Sequence, residues 1–255
     1  MYSTQEARTD LAFTLAKNAF TYMQAAKKKH WQVGEGWVTT LSGEPYEMLN
    51  EVLLFGANPD SVDEALAVLA EREVPAYIKV IGPAQNVIPR LIERGYEFKY
   101  TSPVMTWQAD NSLDGFVLRE GLSVRRLDPH EAEVIWAVYK DVYEMPDTVR
   151  AAFTSVFLTS PDDYTYALYK GEELVSLVTA MVSGDFVGIW GMGTPKVSQK
   201  NGYGGELLKY VMKVHAQMGG KLFGLFASDA GKPLYDKLQW QTIEYIPHYG
   251  LAAAK

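Results

Sequence analysis

The sequence predicts an α/β (α+β) fold, a mixed and mostly antiparallel sheet flanked by helices. Hydrophobic residues keep strand-like spacing over 164–169, 174–183 and 186–192, and a period near 3.6 over 205–218. Lys170-Gly171 and Gly184-Asp185 join the three strand-like runs with good hairpin chemistry. A weak internal repeat at an offset of 144 places Ile78 and Ile81 on Leu222 and Leu225, and Tyr96 on Trp240. One supersecondary unit is therefore expected twice.

Composition bounds the function. The 255 residues suit one large domain or two small ones, and 47% hydrophobic with 22% charged residues excludes disorder. No cysteine is present, which excludes a disulfide scaffold, a thiolate zinc site and a cysteine nucleophile. A net charge of −7 argues against nucleic-acid binding through bulk charge. The longest uncharged runs, Leu174–Gly184 and Phe186–Pro195, are too short to span a bilayer. Glu6 and Asp10 precede a short apolar stretch that Lys17 ends, unlike a signal peptide. A soluble cytoplasmic protein is expected.

Ser3-Thr4-Gln5-Glu6 reads as a capping box, and Leu11, Leu15, Ala19, Met23 and Ala26 recur on one face of the helix that follows. Lys27-Lys28-Lys29 suits the negative end of its dipole. Strands are expected over 37–41 and 48–55, then a helix opened by a Ser61–Glu64 capping box. A strand over 76–81, a helix over 85–94 closed by Gly95, and a strand over 98–107 broken at Pro103 follow. Residues 109–121 turn polar and carry two glycines, so domains 1–110 and 116–255 are expected. Beyond them come a strand (123–127) and helices (129–143, 147–158) separated by Pro146. Asp128-Pro129-His130-Glu131 supplies an N-cap, an N1 proline and an N3 carboxylate. After the three hairpin strands the pattern gives a helix (205–218), a strand (222–228), a helix (231–238) and a final strand (242–249).

Gln199-Lys200-Asn201-Gly202-Tyr203-Gly204-Gly205 opens a helix whose Leu207, Leu208, Val211, Met212 and His215 share a face. Glycines at a helix mouth let backbone N–H groups approach an anion, and the dipole favours it. That suits a pyrophosphate. Residues 196–237 hold seven lysines against three acids, a cationic stretch in an acidic chain. Walker-A spacing is absent, and strands of antiparallel pattern precede the loop, unlike a Rossmann unit.

With Ala227-Ser228-x-x-Gly231-x-Pro233-Leu234-Tyr235-Asp236-Lys237-Leu238 downstream, the Gln-x-x-Gly-x-Gly loop resembles the GNAT N-acetyltransferase superfamily over about residues 122–249. The resemblance implies a GNAT-like domain in the C-terminal half, with acetyl-CoA as acyl donor. Gln199, Gly202 and Gly204 match the phosphate-loop signature, and Lys200, Asn201, Gly202, Tyr203, Gly204 and Gly205 would offer the amides. Met192-Gly193-Thr194 would end the splayed strand that aligns the pantetheine arm. Ser228 stands where many members carry Asn. Tyr235 matches the tyrosine that protonates the departing thiolate in many members; its other reading is a packing residue. Gln239-Trp240 replaces the usual Gly-Phe. The family's acceptor pocket falls near Trp136, Tyr139, Tyr143, Met145 and Pro146, with Tyr143 and Glu144 as substrate contacts. Asp185, Glu144 and Glu173 are candidate general bases by position alone, and a water chain is the alternative.

No metal is expected, because His30, His130, His215 and His248 lack ligand spacing. His215 is expected at the helix edge. The first half resembles a partial, degenerate GNAT-like domain. The offset places Phe55, Asn58 and Asp60 at the positions of Gln199, Gly202 and Gly204, and Leu91 at that of Tyr235. The expected activity is N-acetyl transfer from acetyl-CoA to a small-molecule or peptide amine, directly in a ternary complex. The alternative is a non-catalytic acyl-CoA-binding protein. Nucleic acid and membrane are not expected as partners, and a homodimer is allowed.

Overall fold

The computed structural model describes residues 4–24, 30–154 and 163–252. In chain order the elements are α1 (Gln5–Gln24), β1 (His30–Gly34), β2 (Trp37–Leu41), β3 (Asn50–Leu54), α2 (Asp60–Arg72), β4 (Tyr77–Val80), α3 (Ile88–Glu93) and β5 (Tyr96–Gln108). There follow β6 (Leu122–Arg126), α4 (Ala132–Tyr143), α5 (Arg150–Thr154), β7 (Asp163–Lys170), β8 (Glu173–Ser183) and β9 (Phe186–Gly193). The chain closes with α6 (Tyr203–Gln217), β10 (Leu222–Phe226), α7 (Lys232–Lys237) and β11 (Gln241–Leu251).

Two compact units result, one of Met1–Val104, Phe226–Ser228 and Thr242–Lys255, the other of Met105–Leu225 and Asp229–Gln241. This differs from the linear division into 1–110 and 116–255. The break falls inside β5, and most of the last strand belongs to the first unit.

The first unit orders its strands β1-β2-β3-β4-β11-β5. β1, β2 and β3 pair antiparallel, β3 and β4 parallel, and β11 antiparallel to β4. Helix α2 presents Val62, Ala65, Val68 and Leu69 at helical spacing, and they share a core with Val52, Leu54, Ile78 and Val80. The expected Ser61–Glu64 capping box does not form. Ser61 Oγ donates to the Glu35 carbonyl (2.7 Å), and Glu64 accepts from Trp37 Nε1 (2.8 Å). Tertiary partners have taken both side chains. At α1, Thr4 Oγ1 accepts the Ala7 N–H at 3.2 Å. Ser3, Ala26 and Lys27–Lys29, with the side chains of Ala19 and Met23, lie outside the described residues.

Two further expectations change. The 85–94 segment begins as a 3-10 turn (Gly82–Val87) and becomes α-helical only at Ile88. β5 runs unbroken through Pro103, whose carbonyl accepts the Ala227 N–H at 2.9 Å. A proline costs a strand one donor and leaves its acceptor intact.

The second unit orders the end of β5 (105–108) beside β10-β9-β8-β7-β6. β7, β8 and β9 pair antiparallel as expected, β6 pairs antiparallel to β7, and β10 pairs parallel to β9. The capping box of Asp128 and Glu131 is present, with Arg125 on both Glu131 oxygens (2.7 and 2.8 Å). The helix expected over 147–158 is α5 as far as Thr154; the rest lies outside the described residues. On α6 the five expected residues, Leu207, Leu208, Val211, Met212 and His215, are all buried. His215 is thus a core residue rather than an edge one, its Nε2 lying 3.2 Å from Tyr166 Oη.

The repeat is visible in the elements. Shifted by 144, α3 (Ile88–Glu93) falls on α7 (Lys232–Lys237), and β5 overlaps β11. The strand pairs that precede these helices differ. β3 and β4 stay paired from Glu51–Tyr77 to Leu54–Val80. β9 and β10 pair only over Phe186–Gly188, so Ile189–Gly193 diverges from β10.

Candidate functional site

The divergence of β9 from β10 opens the second unit's sheet, and a bulge reshapes the diverging strand. Thr179 faces Trp190 and Leu177 faces Gly193, so two β9 residues, Gly191 and Met192, oppose one on β8. Gly191 has φ +54, and a Cβ there would stand 1.4 Å from Tyr139 Oη. Helix α4 therefore packs its tyrosine into space that only glycine leaves.

Met192 gathers the site. Its carbonyl accepts the Tyr143 hydroxyl at 2.7 Å, and its Sδ lies 3.6 Å from the Tyr235 hydroxyl. Its Cε would lie 3.0 Å from a Cβ on Gly204. Ser176 Oγ donates to the Gly193 carbonyl (3.0 Å) and lies equally close to Thr194 Oγ1.

The loop after β9 reaches α6 through two left-handed residues, Lys200 (φ +63) and Gly202 (φ +79). The first turn of α6 has no side-chain cap, and its earliest bond joins the Glu206 N–H to the Gly202 carbonyl. Among the described residues, the N–H groups of 200–205 donate to no carbonyl. A Cβ on Gly202 would meet no atom within 4 Å. Uncapped amides, open space and the positive end of a helix suit an anionic group.

The loop's side chains serve its shape. Gln199 Nε2 donates to the Thr194 carbonyl (3.1 Å), and Asn201 Nδ2 to the carbonyls of Ser198 (3.2 Å) and Gln199 (3.0 Å). Tyr203 is buried, and Gly205 faces Leu234. Sequence reasoning missed Arg119. Its guanidinium donates to the Asn201 carbonyl (3.3 Å) and lies over the Tyr203 ring at 5.1 Å. It belongs to a polar linker with no motif, so only the fold brings it to the loop.

Burial pushes the Tyr143 phenol up to about 12. Burial, and then the nearby Tyr143, push Tyr235 above its ordinary value as well. Both are therefore protonated donors at neutral pH. The Tyr143 hydroxyl donates its proton to the Met192 carbonyl and keeps only its acceptor lone pairs for any other partner. Glu144 is exposed, and Lys196 (2.6 Å) holds its carboxyl below the usual range. Of the candidate bases, Asp185 stands at the far end of β9, seven residues from Met192 and so about 20 Å away. That distance removes it. Glu173 Oε1 lies 3.5 Å from Ser198 Oγ. Ser228 is exposed and clusters with the first unit, unlike the other expected site residues.

A cleft of about 540 Å³ in the first unit is lined by residues such as Gln85, Asn86, Thr242 and Tyr245. It includes none of the expected site residues.

No protein-family model matches the sequence, and no curated protein does. Solved structures do. A GCN5-related N-acetyltransferase from Kribbella flavida superposes with a TM-score of 0.70 at 16% identity, over 94% of this chain and 96% of that one. One from Sphaerobacter thermophilus gives 0.65 at 12%, over 84% and 76%. A GCN5-related N-acetyltransferase-like protein from Streptococcus suis 89/1591 gives 0.60 at 13%, over 98% and 100%.

Proposed function

We propose that this chain, which has the fold of the GCN5-related N-acetyltransferases, is an acyl-CoA-dependent N-acyltransferase using acetyl-CoA on a primary amine. The observation that carries the reading is the pairing of uncapped amides at 200–205 with a buried, protonated Tyr235 beside the diverging strand. Acetyl-CoA supplies the acyl group as a thioester. The amides of Lys200 through Gly205 would hold its diphosphate, with Gly202 leaving the approach open and Gln199 and Asn201 fixing the turn. Met192, Gly193 and Thr194 would line the pantetheine arm.

The chemistry follows from the donors. The amine nitrogen bonds to the acyl carbon, the carbon–sulfur bond breaks, and the sulfur takes the Tyr235 hydroxyl proton. Burial keeps Tyr235 protonated and makes it a weaker acid than a free phenol, so the proton moves only as charge develops on the sulfur. The nitrogen loses its proton to water or to a carboxylate. Without a cysteine, and with no activated-serine signature, direct transfer is favoured over a covalent enzyme intermediate.

Calorimetry with acetyl-CoA and a thiol-release screen over amino acids, polyamines, aminoglycosides and peptides test this. Binding followed by thiol release with one amine class is expected. No binding at millimolar acetyl-CoA rejects the site, and binding without release across the panel turns the reading to an acyl-CoA sensor.

A further inference from the structure

Where β9 leaves β10, the Met192 carbonyl takes its hydrogen bond from a side chain, the Tyr143 hydroxyl at 2.7 Å. The carbonyl is only partly buried, and the last residue of α4 supplies its donor. The same helix contributes Tyr139 one turn earlier, edge-on to Tyr143 with ring centroids 5.2 Å apart. Tyr139 fills the space beside Gly191, so two phenols of α4 brace both bulged residues. The Met192 side chain then spans from Gly204 of the anion loop to the Tyr235 hydroxyl.

Resting on the transferase reading, we infer that Tyr143 is the positioning residue of this site: it grips the Met192 peptide and so fixes the sulfur on which the Tyr235 hydroxyl rests. Tyr143 itself touches no reacting atom. Its hydroxyl donates to the backbone, and its effect runs through Met192.

The test uses full-length chain labelled with ¹³C-methyl methionine, the Met192 signal being assigned with Met192→Leu. Tyr143→Phe is expected to shift or broaden that signal while circular dichroism stays that of the parent. Tyr245→Phe, which removes an exposed phenol of the first unit, leaves it in place. In turnover, Tyr143→Phe is expected to lower kcat about tenfold or more, with KM for acetyl-CoA changed less than about threefold. An unmoved Met192 signal, or an unchanged kcat in an active enzyme, overturns the positioning role. If the parent binds no acetyl-CoA, the transferase reading falls, and the methyl signal still decides whether Tyr143 holds Met192. Should Tyr143→Phe unfold, Met192→Leu carries the test, since it keeps the carbonyl and removes the sulfur. A kcat equal to the parent's then overturns the link to Tyr235.

Discussion

The phenolic oxygen of Tyr235 rests 3.6 Å from the sulfur of Met192, a soft and weak acceptor. Because that hydrogen bond is weak, the hydroxyl is free to turn to a stronger acceptor such as a developing thiolate. Replacing Tyr235 by Phe keeps the ring that packs on Trp240 (centroids 5.7 Å apart) and removes only the hydroxyl. The expected loss in kcat is about 10²- to 10⁴-fold. Acetyl-CoA affinity by calorimetry is expected to stay within about threefold, because the loop amides are untouched. Turnover equal to the parent's removes Tyr235 from the chemistry.

Gly191 and Gly202 are both left-handed, but for different reasons. At Gly191 an added methyl collides with Tyr139, so Gly191→Ala combines overpacking with backbone strain. We expect a loss of about 2–4 kcal/mol in urea unfolding. At Gly202 nothing lies within 4 Å, so Ala costs only the strain, about 1 kcal/mol. Its methyl enters the space before the amides, however, and acetyl-CoA affinity is expected to fall about tenfold. Equal stability losses in the two variants contradict the packing argument for Gly191.

Much of this was legible in the chain because local chemistry was left to act locally. The capping box at Asp128 and Glu131, the turns at Gly171 and Gly184, and the apolar face of α6 depend on residues within a few positions of one another. The 144-residue offset, drawn from a handful of similar residues, recovers the coincidence of α3 with α7. The misses are residues claimed by distant partners. Ser61 abandons its cap for Glu35, Asn201 meets Arg119 across 82 positions, and Tyr143 turns to Met192. β1 was missed because His30-Trp31-Gln32-Val33-Gly34 lacks a buried face, its three middle residues all being exposed. Residence of β11 in the first unit is a property of topology, which no window of sequence carries.

Lys79 and Glu51 form an ion pair at 2.6 Å in the first unit, with side chains 8% and 13% exposed. Lys79 also lies over the Phe226 ring at 5.1 Å, opposite the buried His248 on β11. Removing one partner strands a charge away from water, at a cost of about 3–5 kcal/mol. Lys79→Met and Glu51→Leu are each expected to lower stability by that order. The double variant is expected to recover most of it, because no charge is left unpaired. Additive losses in a double-mutant cycle remove the coupling.

Acid should weaken the second unit through His215. Burial, and then the neighbouring Arg126 charge, push its imidazole down to about 4. An unfolded chain takes up that proton near pH 6.5, whereas the folded chain refuses it until about pH 4. The unfolded state therefore binds more protons inside this window, and stability falls as pH drops through it. The shift corresponds to roughly 3 kcal/mol, fully present above pH 6.5 and gone below pH 4. His215→Gln keeps a side chain able to bond the Tyr166 hydroxyl without titrating. Urea midpoints from pH 7 to 4 are expected to fall more steeply for the parent than for this variant. Parallel slopes return His215 to a packing role with no part in acid sensitivity.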